Sequence, residues 1–117
     1  MTPIAQDAFT AHLQVGVLDA DSVRALRAVL LDHGNEPKTH FIIDLRQADD
    51  GQDMTLFALL SAKARSVSEA MGSMTAVRPT QRLTHLFTTV GVHVTQELPA
   101  IAVAERVLEL SIGLLRT

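Results

Sequence analysis

Apolar and polar positions alternate along residues 9–17. Phe9, Ala11, Leu13, Val15 and Val17 fall on one side, and Thr10, His12, Gln14 and Gly16 on the other. A period of two predicts a half-buried strand. The period then lengthens. Val23, Leu26, Val29 and Leu30 recur at three- and four-residue steps, which predicts a helix with one buried stripe. Asp19 or Asp21 can open this helix by accepting from free backbone N–H groups. Gly34 can close it in a left-handed conformation, and Asn35-Glu36-Pro37 reads as a loop.

The run Phe41-Ile42-Ile43, closed by Asp44-Leu45, reads as a buried strand. An acidic, glycine-bearing turn follows, Asp49-Asp50-Gly51-Gln52-Asp53. Leu56, Phe57, Leu59, Leu60, Ala64, Val67 and Met71 then predict a long helix, ended by Gly72. Residues 74–77 form a brief strand ended by Arg78-Pro79. Thr80 caps a third helix carrying Leu83, Leu86, Phe87 and Val90, stopped by Gly91. Residues 92–94 give a last short strand. Pro99 suits the first turn of a final helix with a wide apolar face: Ile101, Ala104, Val107, Leu108, Ile112 and Leu115. Strands alternating with helices predict a single α/β domain, its mostly parallel sheet connected by right-handed crossovers. Open sheets of this kind keep their working sites at the carboxyl ends of the strands, where the acidic turn falls.

Composition narrows the function classes. The chain has 117 residues, one domain's worth, with 47% hydrophobic and 20% charged residues, which is globular. Its net charge of -3 leaves no electrostatic footprint for nucleic acid. The lack of cysteine excludes disulfides, thiolate nucleophiles and cysteine-bound zinc. Tryptophan and tyrosine are absent, which weakens stacking on bases or sugars. No apolar run is long enough to span a bilayer, and no basic stretch precedes an apolar one at the amino terminus. A cytoplasmic protein without membrane insertion is the expectation.

Several motifs in order resemble the STAS domain family, of anti-sigma factor antagonist type. Gly16-Val17-Leu18-Asp19-Ala20, followed by Leu26, looks like that family's turn into its first helix. Ile42-Ile43-Asp44-Leu45 resembles its strand ending in Asp-Leu, and Leu56, Leu59 and Leu60 match the start of its second helix. Arg78-Pro79 through Leu86, with Val90-Gly91, resembles its third helix and closing glycine. The resemblance covers residues 15–108. It implies a STAS-like, mostly parallel or mixed sheet of four to five strands packed by four helices. It also implies a non-enzymatic interaction module, without cofactor, for an anti-sigma factor of serine-kinase type or a related regulator.

Two departures from that pattern stand out. The family's Asp-Ser-Ser-Gly-Leu signature, whose first serine is phosphorylated, falls on Gln52-Asp53-Met54-Thr55-Leu56. Asp53 therefore occupies the phosphoacceptor position, as a fixed phosphomimetic charge where relatives carry a removable one. A helix N-terminus favours either anion. The second departure is a short amino terminus, with Pro3-Ile4-Ala5 as a reduced first strand. It leaves a sheet edge open to pairing with another chain, and a homodimer is expected. The partner-binding residues implied are Asp19, Asp49, Asp50, Gln52, Asp53, Met54 and Thr55. Other STAS domains implied as models are subunits of larger signalling or transport assemblies and nucleotide-binding modules.

Plainer roles account for many of these residues. Asp53 suits an N-cap, worth about 1 kcal/mol. Asp49, Asp50 and Asp53 match no dedicated metal loop and read as solvated turn residues. Asp44 reads as a structural acceptor, and His85 and His93 as surface or packing residues. Met54, in a helix's first turn, is expected to face solvent and suit adaptable contacts. Ser61, Ser66 and Ser68 lack a nearby base, and no glycine loop for phosphate is present, so no catalytic constellation emerges.

Overall fold

The computed structural model describes residues 9–17, 19–33, 38–48, 53–98 and 106–112. These form strands β1 (Phe9–Val15), β2 (Thr39–Asp44), β3 (Ser73–Val77), β4 (His93–Thr95) and β5 (Arg106–Ile112). Helices α1 (Ala20–His33), α2 (Asp53–Glu69) and α3 (Gln81–Thr89) alternate with the first four strands. The predicted positions Pro3-Ile4-Ala5, Leu18, Gly34 to Pro37, Asp49 to Gln52, Pro99, Ile101, Ala104 and Leu115 lie outside the described residues.

All strand pairings are parallel, in the order β4-β3-β2-β1-β5. The three crossovers step in one direction across the sheet, from β1 to β4, so a common hand stacks α1, α2 and α3 on one face. The core shows this directly. Ala11, Leu13, Val15, Phe41, Ile43, Met74 and Ala76 come from one side of the pleat. They pack against Leu26 and Leu30 of α1, Leu56, Leu60 and Val67 of α2, and Leu83 and Phe87 of α3. Each of the Leu, Ile, Val, Phe and Met side chains among them contributes about 1.5–3 kcal/mol by leaving water, and each Ala less. By strand alternation and register, the opposite face carries Thr10, His12 and Gln14 beside His40, Ile42 and Asp44, then Ser73 and Thr75.

Three predictions are corrected here. Residues 106–112 form a strand, not part of a final helix. Arg106-Val107-Leu108-Glu109-Leu110-Ser111-Ile112 also reads with a period of two, and β1 offers a parallel partner from Phe9 to Val15. Ladder hydrogen bonds to β1 win over helical propensity. Among the described residues there are three helices, where four were expected. Because β5 pairs with β1 along its length, β4 and β5 are the outer strands among the described residues. The third correction concerns β1 itself, whose polar side is covered as well: Thr10 and His12 are buried, while Val17 lies beyond the strand and is 37% exposed.

The end of α2 departs from expectation in an instructive way. Met71, not Gly72, takes the left-handed conformation (φ 67°), and its side chain is 73% exposed rather than part of the buried stripe. The N–H of Gly72 donates to the Val67 carbonyl at 2.9 Å and that of Met71 to the Ser68 carbonyl at 3.0 Å. This is a Schellman closure with methionine at the glycine position. Gly72 is needed for another reason: a Cβ there would stand 2.0 Å from the Thr39 carbonyl oxygen. At the end of α3, Gly91 does adopt a positive φ of 84°.

Candidate functional site

Because every strand is parallel, their carboxyl ends share one edge of the sheet. The described helix starts gather there too. α1 opens on Asp19, whose Oδ1 accepts from the Ser22 N–H at 2.8 Å. That bond is the main reason its carboxyl sits below the ordinary aspartate range. Of the two expected caps, Asp19 is the one used. Asp21 instead faces solvent against Arg24 at 3.2 Å. α3 opens on Thr80, whose Oγ1 accepts from the Leu83 N–H at 3.2 Å, while the Thr80 carbonyl accepts from the Thr84 hydroxyl at 3.0 Å.

α2 begins at Asp53, the first residue of the helix. Its first turn brings Asp53, Met54 and Thr55 to the carboxyl end of β2. Met54 is 51% exposed and Thr55 half-buried, as expected for one turn with Leu56 directed into the core. Asp49, Asp50 and Gln52, the rest of the proposed docking turn, lie outside the described residues. Asp19 belongs to the neighbouring strand–helix turn on the same edge.

One feature of this edge escaped sequence reasoning. Asp44, the last residue of β2, is buried and held by Arg46. The Arg46 Nε donates to Oδ1 at 2.9 Å, its Nη2 to Oδ2 at 2.6 Å, and its backbone N–H to Oδ1 at 3.1 Å. The Arg46 side-chain hydrogen bonds hold the Asp44 carboxyl below its ordinary range, against the opposing effect of burial. Reciprocally, the Asp44 carboxylate raises the Arg46 guanidinium. His12 approaches the same carboxylate from β1, with Nε2 3.9 Å from Oδ2. Among the described residues that buried Nε2 has no hydrogen-bond partner. The expectation that Asp44 is a structural acceptor thus holds, and the spacing Asp44-Leu45-Arg46 was the available clue to its partner.

His85 and His93 are both exposed. Ser61 directs its hydroxyl to the Ala58 carbonyl at 3.4 Å, within its own helix. Among the described residues no group of three or more His, Asp or Glu side chains is placed to hold a metal ion. No helix among them is long and apolar enough to cross a membrane. Comparison of the chain with protein-family models, with curated proteins and with solved structures gives no match.

Proposed function

We propose that this chain is a non-enzymatic protein-interaction module of STAS type, resembling an anti-sigma factor antagonist that cannot be switched at the usual phosphoacceptor position. The observation that carries the reading is the place of Asp53 at the start of α2, beyond the carboxyl end of β2. A carboxylate at that point of a helix has the favourable dipole and free N–H groups that a phosphoserine would use. It supplies one permanent charge where phosphate supplies about -1.5 to -2. The half-exposed Met54 beside it offers an adaptable apolar contact, and the capped turn at Asp19 extends the same surface.

The partner class is an anti-sigma factor of serine-kinase type or a related regulator, met in the cytoplasm. In the family the unphosphorylated form binds and the phosphorylated form releases, so a fixed acid at residue 53 weakens that interaction. Incubation with family kinases followed by mass spectrometry tests the switch: stoichiometric phosphate on residues 49–55, such as Thr55, would overturn it. Co-purification with mass spectrometry tests the partner class and separates a free module from a subunit of a larger signalling or transport assembly. A saturable calorimetric signal with GTP or ATP at about micromolar affinity would instead favour the nucleotide-binding reading. A homodimer stays part of the proposal, to be read by its mass in solution. Among the described residues, however, β1 is paired by β5 and Val107, Leu108 and Ile112 belong to a strand, so neither an open β1 edge nor a helical face of those three residues would carry it.

A further inference from the structure

Between α1 and α2 runs a groove of about 260 Å³, lined by Arg27, Leu30, Leu31, Ala58, Leu59 and Lys63 together with the exposed Ala62. Its origin is local. Ala58 and Ala62, one turn apart on α2, lack the bulk to reach α1, so Leu31, beside the buried Leu30, stays uncovered. Leu31 is 52% exposed, on the flank of α1 next to the buried stripe of Leu26 and Leu30. The volume suits the apolar side chains of an inserted helix, a common mode of recognition.

Charge identifies the occupant. Arg27 stands on one wall and Lys63 on the other, and neither has an ion-pair partner among the described residues. In a chain of net charge -3, this is an apolar slot bordered by two cations that no described residue pairs. At physiological salt only nearby charges count, because screening acts over about 8 Å. We propose that the α1–α2 groove binds an amphipathic helix of a protein partner, its apolar face inserted between the helices and its flanking residues acidic. This surface lies on the middle of α2, at Ala58 to Lys63, and differs in sign from the acidic start of that helix. The two surfaces therefore select different partner chemistry.

The test uses the full chain, uniformly ¹⁵N-labelled, and two synthetic peptides of about five helical turns. Both carry leucines at helical spacing; one is flanked by glutamates and the other by lysines. The glutamate peptide should bind saturably and move the amide signals of Arg27, Leu31, Ala62 and Lys63. Arg27→Glu with Lys63→Glu should reverse the preference between the peptides, by about tenfold. Ala62→Gln, an exposed helix position that tolerates glutamine, should obstruct the groove while the thermal melt stays unchanged. Asp53→Asn should leave peptide binding unaffected, so a failure of the groove is separable from a failure of the docking turn. Equal binding of both peptides, no saturation, or shifts confined to residues 53–55 would overturn the proposal.

Discussion

Arg46 grips Asp44 from two residues downstream, through both carboxylate oxygens, at 2.9 and 2.6 Å. The two ends of this pair are unequally buried: the Asp44 side chain is 5% exposed and that of Arg46 40%. Removing either partner should therefore have unequal consequences. Arg46→Ala leaves a buried carboxylate without its main donor and should be the more destabilising change, though less than for a fully buried pair because solvent reaches the arginine. Asp44→Asn keeps a neutral acceptor in the same space and should cost less. Urea denaturation of the two variants checks this order; the reverse order would show that the pair is held by something other than burial of the acid.

The same pair gives the fold an acid limb. The folded-state pKa of Asp44 is depressed, chiefly by hydrogen bonds from the Arg46 side chain. Stabilisation from this pair is therefore complete above the unfolded-state value of about 3.9 and is lost as pH falls through the lower, folded value. Asp19 adds in the same direction through its bond from Ser22. Stability should decline below about pH 4, less steeply in Asp44→Asn than in the parent chain. Parallel pH curves for the two proteins would contradict the assignment.

Met71 holds a left-handed conformation without the glycine that suits it, and its side chain is largely in solvent. Met71→Gly should raise stability by about 1 kcal/mol, visible as a higher thermal midpoint. Gly72→Ala should do the opposite, with a loss well above 1 kcal/mol, because the added methyl meets the backbone of Thr39 rather than a yielding side chain. The reverse order of midpoints would mean that the roles of residues 71 and 72 have been exchanged.

Helix starts offer a graded test along the sheet edge. Asp19→Ala and Thr80→Ala each remove an acceptor from a backbone N–H and should lower stability, Thr80→Ala by about 1 kcal/mol. Asp19→Asn retains the acceptor and should recover most of the loss. Chemical denaturation resolves these differences, and an Asp19→Asn variant as weak as Asp19→Ala would show that charge, not capping, is what matters there.

On the proposed STAS reading, Asp53→Ser puts a serine where that family carries its phosphoacceptor, but Met54 and Thr55 do not match the serine and glycine that follow it there. Family kinases should therefore label the variant poorly. Efficient phosphate incorporation at residue 53, read by mass spectrometry, would show that the surrounding turn still fits a kinase.

What the sequence by itself determined was the order and period of the elements from β1 to β4. Leu26 and Leu30, Leu56 and Leu60, and Leu83 and Phe87 were legible as buried stripes because helical spacing is a local property and core burial follows it. Thr80 and Asp19 were legible as caps for the same reason, since a cap bonds within three residues. The tertiary structure alone decided what depends on distant neighbours. Residues 106–112 suit either a helix or a strand, and only the availability of β1 as a partner chooses between them. Gly72 looked like a helix stop, but its constraint comes from Thr39, across the chain. The gap between α1 and α2, with Arg27 facing Lys63, exists only once two helices far apart in sequence are laid on one face of the sheet. Local periodicity carries no information about which surfaces meet, and that is where the pairing of strands and the shape of grooves are settled.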